Sequence, residues 1–222
     1  MALPHLFIGN KNYSSWSMRP WLALKWAGIA FEETVLALGG PGYGKSQIKE
    51  ILDVSPSGRV PALHVGDLVI WDSLAIAEWA AEQKADAHLW PMGANARAIC
   101  RSVTAEMHSG FAALRRDASM NVRRRANTRA WPDDTRADIE RIQELWTFVR
   151  REFGGAGSYL FGGRTIADAF YAPICTRFRT YGVKLDDVSQ DYCDTIFLDP
   201  AFQEWERAAQ AETWTIPQTD AL

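Results

Sequence analysis

The spacing of apolar residues changes near residue 85, and this change predicts two parts of different architecture. In the first part, stretches of helical spacing alternate with short apolar runs at residues 3–9, 31–38, 59–63 and 68–71. Runs of this length that are bounded by turn residues are typical of strands. The order of elements is therefore βαβαββα, which predicts an α/β domain with a mixed sheet.

Turn and capping residues locate the helices of this first part. The first helix is expected to begin near Ser17, with Pro20 in its first turn, and to end at Gly28. Further helices are expected at residues 45–53 and 73–83. The last two strands are separated by a tight turn, so we expect them to form a hairpin.

Beyond residue 85, the alternation typical of strands disappears and helical spacing dominates. Helices are expected at residues 95–118, 133–152, 165–181 and 200–210. We therefore predict an α/β domain at residues 1–84, a linker at residues 85–94 and an all-helical domain at residues 95–222.

Composition restricts the partners that we expect. The 222 residues carry a net charge of -3, without the basic footprint of general nucleic-acid binding. Three cysteines without CxxC spacing and four scattered histidines predict neither a disulfide framework nor a metal site. No signal peptide is recognisable, and no apolar run reaches the ~20 residues of a membrane span. We therefore expect a cytoplasmic protein without a membrane or nucleic-acid partner.

Hydroxyl groups cluster where the first strand leads into the first helix. Ser14, Ser15 and Ser17 lie there, and each can be an ordinary turn or N-cap residue. A helix N-terminus also offers unpaired N–H groups and a partial positive charge. A hydroxyl at that position can donate to an anion, including a thiolate. The residues alone leave both interpretations open.

Two dipeptides in the first part allow either a structural or a binding role. A cis bond between Val60 and Pro61 would turn the Val60 backbone toward a ligand, although an ordinary trans proline at a strand start is more frequent. Asp72 and Ser73 begin a helix. Asp72 can cap that helix, or the pair can bind the ammonium and carboxylate groups of an α-amino acid.

A further motif lies in the helical part. Thr165 and Asp168 have the spacing of a capping box, with Asp in the usual position of Glu, ahead of an apolar run. We interpret this motif as structural, because it marks the beginning of a buried helix.

These features occur in one order, and with them the sequence resembles the cytosolic glutathione transferases over essentially its full length. Residues 14–19 (SSWSMR) are similar to the SSCSxR opening of the zeta class. Residues 59–63 (RVPAL) are similar to the VP(A/T)L stretch whose proline is cis, and residues 72–76 (DSLAI) to the stretch that holds the γ-glutamyl group. The resemblance, among bacterial members and nearest in motif to the zeta class, implies a thioredoxin-like N-terminal domain and an all-α C-terminal domain.

The resemblance implies glutathione as a co-substrate, with no permanently bound cofactor, and a small electrophile as the second substrate. Ser14 would stabilise the glutathione thiolate, with Ser15 as the alternative. A homodimer and a role in detoxification are also implied.

The resemblance assigns the rest of the glutathione site as well. Val60, next to Pro61, would pair its backbone with the cysteinyl unit of glutathione. Asp72 and Ser73 would hold the γ-glutamyl end. Lys45, which follows a glycine-rich loop, would hold the glycyl carboxylate.

The electrophile is expected between the two parts. The candidate residues on this side are Trp16, Met107, His108, Phe111 and Arg115. Trp16 stands where the zeta class has a cysteine, and its bulk argues against the maleylacetoacetate isomerisation of that class. A run of arginines between residues 115 and 129 is interpreted as a solvated surface or, alternatively, as an attraction for an anionic substrate.

Two classes of function remain open. The first is an enzyme that conjugates glutathione to small electrophiles, with a zeta-like glutathione-dependent isomerase as the alternative within it. The second is a non-catalytic binding or scaffold protein on the same fold. The intact set of Ser14, Pro61, Asp72 and Ser73 favours the enzyme.

Overall fold

The computed structural model describes residues 2–222, and its first part is a four-stranded sheet with helices. The strands are β1 (His5–Gly9), β2 (Glu32–Leu36), β3 (Ala62–Val65) and β4 (Leu68–Ile70). They lie in the order β2-β1-β3-β4, with β1 parallel to β2 and antiparallel to β3. The predicted mixed sheet is therefore confirmed, and β3 and β4 form the expected hairpin.

The helices of this part differ from the prediction at their ends. They are α1 (Ser15–Trp26), α2 (Lys49–Leu52) and α3 (Ser73–Gln83). Because Ser14 is the N-cap, α1 begins two residues earlier than expected, and Pro20 lies inside the helix and not in its first turn. The helix α2 is shorter than expected, since the preceding loop continues past Ser46, whose φ is 54°.

The second part is helical. Its helices are α4 (Ala94–Ser109), α5 (Ala112–Asp117), α6 (Asp133–Phe153), α7 (Ile166–Thr180), α8 (Asp187–Leu198), α9 (Pro200–Ala211) and α10 (Pro217–Asp220). The sequence predicted neither α8 nor α10. In α8, Asp186 accepts a hydrogen bond from the Ser189 N–H at 2.7 Å, and the many polar residues of the helix hide its short apolar face.

The prediction of one helix over residues 95–118 is wrong. The chain leaves the helix at Gly110, and Phe111 adopts a left-handed φ of 58° before α5 begins. Arg115 stabilises this break, because its guanidinium donates to the carbonyls of Met107, His108 (3.3 Å) and Gly110 (3.0 Å).

The helix α7 joins the two parts. Almost every residue of α7 is buried, and the helix packs against α1, α4 and α8. One continuous cluster of buried apolar side chains includes Leu6 and Leu22 from the first part and Trp146 and Phe170 from the second. The beginning of α1 is therefore held against the helical part. No helix within residues 2–222 has the length and apolar character needed to cross a membrane.

Candidate functional site

A cavity of about 530 Å³ opens at the N-terminus of α1. Four segments of the chain form most of its wall, at residues 13–16, 42–44, 57–61 and 71–73. Residues 13–16 and 71–73 lead into α1 and α3, residues 57–61 lead into β3, and residues 42–44 belong to the glycine-rich loop. The structure thus brings Ser14, Ser15, Val60, Pro61, Asp72 and Ser73 together around one cavity, along with Trp16.

The two serines of the wall have different hydrogen bonds. Ser14 is the N-cap of α1: its Oγ donates to Ser17 Oγ at 2.7 Å and accepts from the Ser17 N–H at 3.4 Å. Ser15 Oγ accepts from Arg177 Nη2 at 3.2 Å. Since a guanidinium can only donate, the hydroxyl proton of Ser15 remains available to another acceptor.

The opposite wall carries the start of α3. Asp72 Oδ1 accepts from the Leu74 N–H at 2.7 Å and so caps α3, which is the structural role that the sequence allows. The second carboxylate oxygen, Oδ2, lies 3.4 Å from His108 Nε2. Ser73 is 1% exposed, and its Oγ has no hydrogen-bond partner within residues 2–222. Buried hydroxyls are nearly always paired, so this one is available to a ligand.

The wall of the cavity contains two cis peptide bonds. The Val60–Pro61 bond is cis, as the family resemblance implies, and the Trp71–Asp72 bond is cis as well. Both bonds belong to the wall of the cavity.

Positive charge is concentrated behind the serines. The guanidinium of Arg19 is 1% exposed and lies between the rings of Trp16 (4.3 Å) and Phe170 (4.9 Å). Its Nε and Nη1 have no hydrogen-bond partner among the described residues. Burial lowers the pKa of Arg19 strongly, and nearby Arg115 and Arg177 lower it further, whereas Asp72 raises it.

Arg177 extends this charge toward Ser15. Burial, followed by repulsion from Arg115, lowers the pKa of Arg177 to about 9, so the guanidinium stays protonated at neutral pH. Its Nη1 donates to the carbonyl of Ala118, and its Nε has no partner within residues 2–222. Unpaired N–H groups on buried cations are costly unless an anion occupies the space beside them.

The candidates for the electrophile side divide into two groups. The rings of Trp16 and His108 meet edge to face at 5.2 Å, and Arg115 lies 5.2 Å from the Trp16 ring. Met107 and Phe111, in contrast, are buried in the hydrophobic core, and of the five candidates only Trp16 is part of the cavity wall. Burial lowers the pKa of His108, which favours a neutral imidazole at pH 7.

The glycine-rich loop does not bring Lys45 to the cavity. Lys45 is exposed and lies outside the wall, whereas Arg59 is part of it and donates from Nε to Ser46 Oγ at 3.0 Å. Sequence reasoning missed Arg59, although a basic residue directly before the Val60–Pro61 pair was the available signal. Within residues 2–222, no group of three or more His, Cys, Asp or Glu side chains is placed to hold a metal ion.

Known proteins resemble this chain in both sequence and structure. A family model for the glutathione S-transferase N-terminal domain matches residues 13–83. Maleylacetoacetate isomerase of Rattus norvegicus is 30% identical over 183 residues, which cover 82% of this chain and 81% of that protein. Maleylacetoacetate isomerase of Mus musculus is 33% identical over 111 residues, which cover 50% of each chain.

Solved structures agree on the architecture. Maleyl pyruvate isomerase, a bacterial zeta-class enzyme, gives a TM-score of 0.71 at 22% identity, covering 95% of this chain and 100% of that one. A Burkholderia glutathione transferase homologue with bound glutathione gives 0.70 at 22% identity, with the same coverage. The predicted thioredoxin-like domain followed by helices is therefore confirmed. The chain belongs to the glutathione transferase family, and its motifs are nearest to those of the zeta class.

Proposed function

We propose that this protein is an enzyme that binds glutathione in the cavity at the start of α1 and uses it as a thiolate. The observation that carries the proposal is that Ser73, whose buried hydroxyl has no partner within residues 2–222, lines the same cavity as Ser14 and Ser15. A scaffold protein would have no need to leave this polar group without a partner. The division into domains at residues 1–84 and 95–222, a homodimer and a cytoplasmic location remain parts of the proposal.

The walls of the cavity suit the three units of glutathione. The γ-glutamyl carboxylate would accept from Ser73 at the N-terminus of α3, and its ammonium group would approach Asp72. The Val60 backbone would pair with the cysteinyl unit. Arg59 would bind the glycyl carboxylate, a role in which it replaces Lys45 because only Arg59 lines the cavity.

One hydroxyl at the start of α1 is sufficient to activate the thiol. An ordinary thiol has a pKa of about 8.5, and lowering it by about 2 requires ~2.7 kcal/mol of preference for the anion. A hydrogen bond to a charged group supplies ~1.5–3 kcal/mol, and the helix N-terminus adds ~0.3–1 kcal/mol. No general base is needed.

Either serine can supply that hydrogen bond. Ser14 is the choice that the family resemblance implies, but its proton is donated to Ser17. The hydrogen bonding of Ser15 favours it instead, because Arg177 donates to its oxygen and leaves its proton free. The positive charge of Arg177 also stabilises a thiolate nearby.

A second candidate function is the glutathione-dependent isomerisation of an anionic, conjugated substrate. The observation that favours it is the pair of buried guanidinium groups of Arg19 and Arg177, whose unpaired N–H groups suit a substrate carboxylate. The thiolate would add to the double bond, the resulting single bond would rotate, and elimination would return glutathione. The isomerase relatives support this candidate, whereas Trp16 in place of cysteine argues against the same substrate.

Calorimetric titration with reduced glutathione tests the proposal. We expect a dissociation constant between micromolar and millimolar, and a weaker one for Ser73→Ala. Arg164→Gln, which alters the contact of a partly exposed arginine with the buried Asp199 away from the cavity, is the control that should bind normally. Wild-type protein that binds no glutathione would favour the scaffold.

Two assays then separate the candidate reactions. The first measures conjugation of glutathione to an aryl halide, and the second measures cis–trans isomerisation of a maleyl keto acid with catalytic glutathione. Activity in the first alone supports the transferase. Isomerisation that Arg177→Met abolishes, while glutathione binding and the pKa of its thiol are unchanged, supports the anionic substrate.

A further inference from the structure

The segment after α9 reaches back to the loop that leads into the two serines. We call residues 212–222 the strap and residues 10–13 the serine loop. The Glu212 carboxylate accepts from the backbone N–H groups of Lys11 (2.6 Å) and Asn12 (3.0 Å). Farther along the strap, Asp220 accepts from the Tyr13 hydroxyl at 2.9 Å. The strap therefore contacts three consecutive residues immediately before Ser14.

Tyr13 is the centre of these contacts. Its hydroxyl donates to Asp220 and accepts from the Ile216 N–H at 3.2 Å, so both roles of the hydroxyl are filled by the strap. Tyr13 is buried and belongs to the cavity wall.

The arginine run holds the strap in place. Arg123 donates to the carbonyls of Glu212 and Trp214 (2.8 Å). Arg124 donates to the Asp220 carbonyl at 2.6 Å, and Arg129 donates to the Leu222 carbonyl at 2.9 Å. These three arginines thus donate to backbone carbonyls of the strap. This structural role of the run was not predicted from the sequence.

Asn12 and Asn121 complete the connection between these segments. Asn12 Oδ1 accepts from the Arg123 N–H at 2.9 Å, and its Nδ2 donates to Asn121 Oδ1 at 3.0 Å. Asn121 Nδ2 in turn donates to Asp220 at 2.7 Å. The serine loop, the arginine run and the strap therefore form one closed hydrogen-bond network.

We propose that Tyr13, Glu212 and Asp220 are positioning residues that hold Ser14 and Ser15 in the geometry needed to stabilise the glutathione thiolate. The inference rests on the proposed function. Its physical basis is that a catalytic group displaced by about 1 Å can lose about 100-fold in rate, although nothing that touches the substrate has changed. No residue of the strap is part of the cavity wall, so the strap acts through the serines.

Tyr13→Phe tests the inference, because it removes one hydroxyl and keeps the ring. Tyr159→Phe is the matched control, since the Tyr159 hydroxyl also donates to a carboxylate, Asp199, at 2.7 Å, but lies away from the cavity. The pKa of bound glutathione is measured from the ultraviolet absorbance of its thiolate. The dissociation constant of glutathione and the melting temperature are measured on the same samples.

We expect Tyr13→Phe to raise the pKa of the bound thiol by about 0.5–1 and, through the smaller thiolate fraction, to lower kcat about 1.5–3-fold at neutral pH. The dissociation constant should change little, and Glu212→Gln should act in the same direction. Tyr159→Phe should lower the melting temperature comparably and leave the thiol pKa unchanged.

Two results would overturn the inference. If both tyrosine variants give the same thiol pKa as the wild type, the strap is only structural, and the proposed function stands. If the wild type itself binds no glutathione or does not lower the pKa of its thiol, the proposed function fails and this inference fails with it.

Discussion

The helices α1 and α7 both begin at a hydroxyl-bearing N-cap, but the polar groups around the two caps are satisfied to different extents. At α7, the carboxylate of Asp168 accepts from the Thr165 N–H (2.8 Å), from Thr165 Oγ1 (2.7 Å) and from the Leu160 N–H (3.0 Å). The Leu89 carbonyl accepts from the Ile166 N–H at 2.9 Å. This site is fully buried and closed.

At α1, the cap is looser and faces a cavity. The hydrogen bond from the Ser17 N–H to Ser14 Oγ is 3.4 Å long, and no acidic residue lies in the first turn. Arg19 and Arg177 lie nearby with unpaired N–H groups. An acidic residue would occupy the positive helix end, so its absence leaves the end free for a ligand anion.

The hydrogen-bond partners of these two caps show how a structural cap can be distinguished from a functional one. A hydroxyl N-cap by itself is common to both helices, so the motif does not decide the role. The decision comes from the partners: a complete set, as at Asp168, indicates folding, and an incomplete set beside a cavity, as at Ser14 and Ser15, indicates binding.

The largest effect is expected from Asp168→Ala. The substitution removes the acceptor of three hydrogen bonds and leaves buried donors unsatisfied, so we expect it to lower the free energy of unfolding by about 3–5 kcal/mol. Urea unfolding measures the change. Glutathione affinity per folded molecule should stay the same, because Asp168 does not line the cavity.

Asp168→Asn is the matched control for this experiment. It keeps one acceptor oxygen and the size of the side chain, and it avoids burying a charge; burial raises the pKa of Asp168 to about 6. We expect a clearly smaller loss of stability than for alanine. An alanine variant as stable as the wild type would show that the closed cap of α7 does not support the fold.

The second effect concerns the open cap. Removal of the serine hydroxyl that faces the thiol should raise the pKa of bound glutathione by about 1–2 and, through the smaller thiolate fraction, lower turnover about 3–25-fold at neutral pH. Ser14→Ala and Ser15→Ala, made separately, identify which hydroxyl acts. Thiolate absorbance as a function of pH provides the measurement.

Comparing Ser14→Ala with Ser15→Ala shows which of the two hydroxyls activates glutathione. If only Ser15→Ala raises the thiol pKa, the free proton of Ser15 explains the activity, and Ser14 remains a cap. If neither variant nor the double variant changes turnover, the open cap of α1 does not activate glutathione, and the assignment of both serines is lost.

Local patterns in the sequence predicted much of this comparison. The capping box of Thr165 and Asp168, the β3–β4 hairpin and the cis bond before Pro61 each depend on residues close together in the chain, so motif and resemblance located them. The four segments of the cavity wall are distant in the chain, and only the family resemblance led us to expect that they would meet.

The remaining features depend on contacts between distant parts of the chain. Arg177 contacts Ser15 only because α7 packs against α1, and no local sequence pattern predicts that contact. The break between α4 and α5 is likewise held from outside, since the Leu114 N–H donates to Asp138 at 2.9 Å. Which of the two basic residues, Arg59 or Lys45, lines the cavity depends on the path of the glycine-rich loop, and no local sequence pattern predicts that path.

The third prediction concerns the cap of α3, where Asp72 caps the helix and also lines the cavity. Asp72→Ala should weaken glutathione binding about 10-fold, because it removes the carboxylate proposed for the ammonium group. Asp72→Asn keeps an oxygen for the cap with Leu74 and removes the charge. Calorimetry should therefore show weaker binding for both variants, with a loss of stability mainly for alanine. Unchanged affinity in Asp72→Asn would remove the ammonium assignment.

The smallest effect is the change in the free energy of unfolding when either cap hydroxyl is removed. Ser14→Ala should cost about 0.5–1 kcal/mol of unfolding free energy, because the cap hydrogen bond from the Ser17 N–H is long and the short one to Ser17 Oγ is lost with it. Thr165→Ala should cost about 1.5–2 kcal/mol, because its partners are close and fully buried. Urea unfolding in one buffer compares the two variants directly. Equal costs would mean that Ser14 is as firmly structural as Thr165, and the distinction between an open and a closed cap would no longer identify the functional one.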